Sequence, residues 1–127
     1  MLYPETVVLS LEIRQIEPGI TVIELGGRVT LGRESGQIEG AVLKALNDGA
    51  QKLVIDLSKV TYIDSTGIGV IAYCFGKISQ SGAQAAVSGA LGLVRELFKL
   101  TRLDSVIAFF PDVASACDGL ATASPSA

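Results

Sequence analysis

Hydrophobic positions first alternate along the chain, then recur at helical spacing, then run together. Leu9, Leu11 and Ile13 are separated by Ser10, Glu12 and Arg14, the period-two pattern of a strand with one buried face. Pro18-Gly19 marks a turn, and Thr21 to Leu25 reads as the returning strand of a hairpin. Gly26-Gly27 ends that strand at a bulge or a close backbone approach, and Gly27-Arg28-Val29-Thr30-Leu31 crosses toward a first helix. Ile38, Ala41, Val42, Ala45 and Leu46 form the apolar face of that helix, which Asn47-Asp48-Gly49 stops. The run Leu53-Val54-Ile55-Asp56-Leu57 is short and rich in branched residues, as a strand buried on both faces should be.

The second half alternates again between helix and strand. Ile68, Ile71, Ala72 and Phe75 lie on one face of a second helix, closed by Gly82. Ala83 to Ser88 is a weak strand, read from its context more than from propensity. A third helix places Leu93, Val94, Leu97 and Leu100 on one side and Arg95, Glu96 and Lys99 outside. Val106 to Phe110 is a last strand, and Pro111-Asp112 opens a short final helix through about Leu120. Ala121 to Ala127 reads as a frayed tail.

This order predicts a single α/β domain over residues 1–120 and a flexible tail over 121–127. Its mixed sheet has about five strands, an N-terminal hairpin followed by β-α repeats, with about four helices. In such sheets the functional edge lies at the carboxyl ends of the strands. There stands Tyr62-Ile63-Asp64-Ser65-Thr66-Gly67-Ile68-Gly69-Val70, the passage from the buried strand to the second helix. An oxygen of Asp64, Ser65 or Thr66 can accept a hydrogen bond from the unpaired first amides of the helix. The same turn presents a serine hydroxyl beside a carboxylate at the positive end of a helix.

Composition narrows the classes. The chain has 127 residues, 49% hydrophobic and 18% charged, enough for one core without staples. Cys74 and Cys117 are its two cysteines and it has no histidine, so neither a zinc site nor a disulfide framework is indicated. They read as buried thiols in a reducing compartment. Glu5 and the lack of Lys or Arg before Arg14 do not fit a secretory signal. The longest uncharged apolar stretch, around Ile68 to Gly76, is far short of the roughly 20 residues needed to span a bilayer. A net charge of -3 and a pI near 4.8 argue against a nucleic-acid surface. The expectation is a cytoplasmic protein with no nucleic-acid or membrane partner.

Enzyme motifs fail on spacing. Gly67-Ile68-Gly69-Val70-Ile71-Ala72 fits the loose dinucleotide fingerprint, but Ala85-Ala86-Val87-Ser88-Gly89 supplies no acid for the ribose. Gly76-Lys77 fails as a phosphate loop, because Ile78 replaces the Ser/Thr and Ile71 the first glycine. A nucleophile elbow would need glycine at Ile63, and no histidine exists to take a proton from Ser65. Asp64 is a poor substitute base. The chain is read as a non-enzyme without cofactor or metal.

Three stretches together carry a resemblance. They are Gly27-Arg28-Val29, Leu53-Val54-Ile55-Asp56-Leu57-Ser58 leading to Tyr62-Ile63-Asp64-Ser65-Thr66-Gly67, and Val94-Arg95-Glu96-Leu97-Phe98-Lys99-Leu100. Over roughly residues 9–120 the chain resembles a STAS domain, the fold of bacterial anti-sigma factor antagonists and sulfate-transporter tails. The resemblance implies a partner-switching antagonist. An anti-sigma factor that is also a serine kinase would bind it, phosphorylate Ser65 and release it, with a serine phosphatase as a possible further partner. Partner contacts would come from Arg28, Thr30, Asp64, Ser65, Thr66, Gly67 and Gly69. Two positions depart from the family pattern: many members have glycine where Arg102 stands and aspartate where Thr30 stands. The alternative is a STAS interaction subunit of a stress-signalling or lipid-transport complex, in which Ser65 is never phosphorylated. Gly67 and Gly69 fit either close helix packing or a flat surface for a partner.

Overall fold

In the computed structural model, residues 9–16, 19–29 and 33–122 are described. The chain runs β1 (Leu9–Ile16), β2 (Ile20–Val29), α1 (Arg33–Asn47), β3 (Lys52–Ile63), α2 (Ser65–Gln80), β4 (Gln84–Ser88), α3 (Gly92–Leu100), β5 (Phe109–Phe110) and α4 (Val113–Thr122). The strands lie side by side in chain order, β1 antiparallel to β2 and the rest parallel. This is the mixed five-stranded sheet with four helices that the alternating pattern predicts.

Period-two alternation splits the buried residues between two faces. Ile23, Leu25, Leu53, Ile55, Leu57 and Val87 join the inward residues of α1, α2 and α3 in the larger core. Ile20, Val22, Val54 and Ala86 point the other way, against Ala116 and Leu120 of α4. The central strand is therefore covered on both faces, which explains its nearly unbroken apolar run.

Several elements differ from the sequence reading. β2 does not end at Gly26-Gly27 but continues to Val29, and its register against β3 shifts on either side of Gly26 and Gly27. The extra residues of these bulges lie on β3, opposite the glycines, while β2 stays in register with β1; a Cβ on Gly26 would press on Ser10 and Lys59. The last strand shrinks to Phe109–Phe110, because Leu103–Ser105 winds into a 3-10 turn whose Leu103 carbonyl accepts from the amides of Val106 and Ile107. On α3 the inward residues are Val94, Phe98 and, partly, Leu97, whereas Leu93 and Leu100 are 83% and 76% exposed. Phe98 takes the core position through an edge-on contact with Phe109, ring centroids 5.1 Å apart, and turns the two leucines out. The last helix extends to Thr122, past the expected end at Leu120, so the first two residues of the expected tail are helical. The rest of that tail, residues 123–127, lies outside the described residues.

Among the described residues no helix is long and apolar enough to cross a membrane. No group of three or more His, Cys, Asp or Glu side chains among them could hold a metal.

Candidate functional site

β3 outruns its neighbour. It pairs with β4 only from Lys52 to Asp56, then continues beside β2 alone as far as Ile63. At the last shared rung the buried Asp56 carboxylate accepts hydrogen bonds from Ser88 and Ser58, both at 2.7 Å. This clasp ties the middle of β3 to the carboxyl end of β4 and gives a buried carboxylate its hydrogen-bond partners. The sequence reading used Asp56 only as part of a motif and missed the clasp. Its signal was a lone carboxylate inside an apolar run, which needs a partner if that strand is buried.

The overhanging part of β3 delivers the chain to α2. Asp64 is the N-cap in extended conformation, and its Oδ1 accepts a hydrogen bond from the Gly67 amide at 2.8 Å. Its carbonyl accepts from the Ile68 amide at 2.9 Å, starting the helical ladder. The capping oxygen is thus the carboxylate. Ser65, the first helical residue, is exposed, and its hydroxyl makes no hydrogen bond to any described residue. Thr66 is exposed beside it.

The two glycines differ in role. Gly67 is buried, and a Cβ there would run into the Val29 carbonyl oxygen and the Ile63 side chain. Its bare backbone lets the first turn of α2 sit on the end of β2. Gly69 is exposed with open space around it. Ser65, Gly69 and Tyr73 recur every fourth residue and form one outward stripe of α2. Tyr73 is 50% exposed, with the Lys77 ammonium 5.4 Å from its ring centroid. At the same end of the sheet, Arg28 of β2 stands opposite Tyr62 of β3; the residues that follow them, Val29 and Ile63, enter the core shared with α2, so this pair lies on the other face of the sheet. The Arg28 guanidinium lies 4.4 Å from the Tyr62 ring centroid, and that ring is 43% exposed.

The structure therefore gathers Ser65, Thr66 and Gly69 on the exposed side of the first turns of α2, with Asp64 half-buried at the cap and Gly67 beneath them, whereas Arg28 lies apart from them on the other face of the sheet. Thr30 lies outside the described residues. Tyr62 and Tyr73 are additions that the sequence reading passed over, although aromatic residues are favoured at interfaces. On the inner side of α2, Cys74 is buried. Burial, reinforced by the charge of Glu39, pushes its thiol up to about 12, so it stays protonated and inert.

Residues 13–116 match the STAS domain family. The chain belongs to that family. Among relatives, the anti-sigma-F factor antagonist RsfB of Mycobacterium tuberculosis is 29% identical over 102 residues, covering 80% of this chain and 82% of RsfB. Among solved structures, an anti-sigma factor antagonist from Mycobacterium paratuberculosis superposes with a TM-score of 0.79 at 21% identity, covering 95% of this chain and 99% of that one. The antagonist SpoIIAA has been solved in an unphosphorylated form, with a TM-score of 0.75 at 16% identity, covering 91% of this chain and 99% of that one. The phosphorylated form of SpoIIAA, from Bacillus, gives 0.68 at 16%, covering 86% and 97%. Within the STAS frame, the exposed serine turn sits at the carboxyl edge of the parallel strands, where the topology places functional loops.

Proposed function

We propose that this STAS protein is an anti-sigma factor antagonist whose release is controlled by phosphorylation of Ser65. The observation that carries the reading is the exposed Ser65 hydroxyl, free of hydrogen bonds to described residues, at the start of a helix already capped by Asp64. A kinase can take that hydroxyl without dismantling the cap. The names of the relatives support an anti-sigma factor as the partner.

The switch is electrostatic. Phosphate adds a charge of about -1.5 to -2 beside the Asp64 carboxylate. The helix dipole and the first amides of α2 tolerate an anion, so the fold survives. A partner lying over the Ser65–Gly69–Tyr73 stripe meets a dianion that it must desolvate. A penalty of about 3 kcal/mol weakens binding roughly 100-fold, enough to switch partners. The kinase supplies ATP, magnesium and catalytic groups, and this chain supplies a hydroxyl on a rigid turn.

Incubation with the cognate anti-sigma factor kinase and ATP, followed by mass-spectrometric mapping, tests the assignment. Phosphate is expected on Ser65 and absent from Ser65→Ala. Phosphate confined to Thr66, Ser58 or another residue would overturn it.

A further inference from the structure

β1 is the outer strand of the sheet, and its eight residues pair with β2 in unbroken register. Natural edge strands are usually protected by bulges, prolines, lysines or brevity. β1 has no bulge against β2, and its sequence, Leu-Ser-Leu-Glu-Ile-Arg-Gln-Ile, contains neither proline nor lysine. Its charges are Glu12 and Arg14, two residues apart and therefore on one face. Ile13, between them on the opposite face, is 45% exposed.

We propose that this edge pairs with a second copy of itself, antiparallel, about a two-fold axis at Ile13. The register follows from charge and pleat. An axis between two residues would set a side chain of the α1 face opposite one of the α4 face. An axis at Glu12 would oppose two carboxylates, and one at Arg14 two guanidinium groups. The axis at Ile13 places Glu12 of each copy opposite Arg14 of the other, twice by symmetry, and opposes every residue from Ser10 to Ile16. It also packs the two exposed Ile13 side chains together on the other face. Glu12 makes no ion pair with any described residue. Among the described residues Arg14 makes one ion pair, at 3.4 Å with Glu24, from a side chain that is nearly half exposed. Both charges are therefore available across the seam. A self-complementary pattern selects an identical partner over an unrelated strand.

The joined sheet has ten strands. β3 runs antiparallel to β1, so the two Ser65 turns lie at opposite ends of the assembly and both stay open. The dimer does not depend on phosphorylation, and its failure would leave the reading of Ser65 untouched.

Sedimentation of the full chain over a concentration series is the test, with Glu12→Arg, Arg14→Glu and the double exchange compared. The wild type is expected to dimerise. Each single reversal should weaken the dimer about tenfold or more, and the double exchange should restore it by swapping the pairs back. Amide hydrogen exchange on the wild type provides a check that needs no variant: outward amides of β1 should gain protection as concentration rises. A wild type that stays monomeric would overturn the proposal, as would a dimer indifferent to both reversals. Outward β1 amides already protected in the monomer would also defeat it, since the edge would then be covered by the chain itself.

Discussion

Asp64 and Ser65 are neighbours with separate duties: the carboxylate holds the Gly67 amide, and the hydroxyl beside it is free of described partners. Asp64→Ala should therefore cost about 1 kcal/mol through the lost cap, whereas Ser65→Ala should cost only a few tenths. Thermal unfolding of both variants checks this; equal losses would mean that the serine shares the cap. Arg102 shows a second residue-scale effect. It follows α3 with φ 63°, the left-handed region, and is the one non-glycine residue with positive φ among those described. Arg102→Gly should relieve that strain and stabilise the fold by up to about 1 kcal/mol, the gain reduced by glycine's greater freedom when unfolded. An unchanged or lower melting temperature would show that the arginine makes a compensating contact. The sequence marked this position as a departure from the family pattern, and the backbone supplies the physical reason. It left open which of Asp64, Ser65 and Thr66 caps the helix, because each side chain can do so and only the backbone geometry chooses.

At the scale of elements, α2 depends on the missing side chain at Gly67. Gly67→Ala would force its first turn away from Val29, at a cost of about 3 kcal/mol. Gly69→Ala, in open space, should leave stability unchanged or slightly raised, since alanine is the better helix former. Comparing the two melting temperatures tests whether the glycines have distinct roles; equal losses would refute the division. Periodicity was sufficient for α1 and α2, where the helices run 15 and 16 residues and a glycine follows the end. It failed for α3, where four leucine or valine positions competed with Phe98 for one narrow contact. The nine-residue helix could not bury them all, and shape against Phe109 decided which went inside. It also overestimated β5, because the 3-10 turn at Leu103–Ser105 takes the amides of Val106 and Ile107 before the chain reaches the β4 edge. That edge pairs at Val87 and Ser88 alone.

Across the whole molecule, the alternation of strands and helices was enough to give the sheet and to place the Ser65 turn at the carboxyl edge of its parallel strands. What the pattern could not give was the overhang of β3 beyond β4, the Asp56 clasp that ends their pairing, and the Arg28–Tyr62 contact. These arise from contacts between residues distant in sequence. They matter to the proposed switch, which requires a rigid frame: added charge must repel a partner without disturbing the sheet. The most direct measurement is calorimetric binding of the anti-sigma factor to the protein with phosphoserine installed chemically at position 65, beside circular dichroism of the same sample. The account predicts an unchanged spectrum and affinity reduced about 100-fold relative to unmodified protein. Equal affinity would contradict the electrostatic switch, and weak binding by a visibly rearranged protein would contradict the rigid frame.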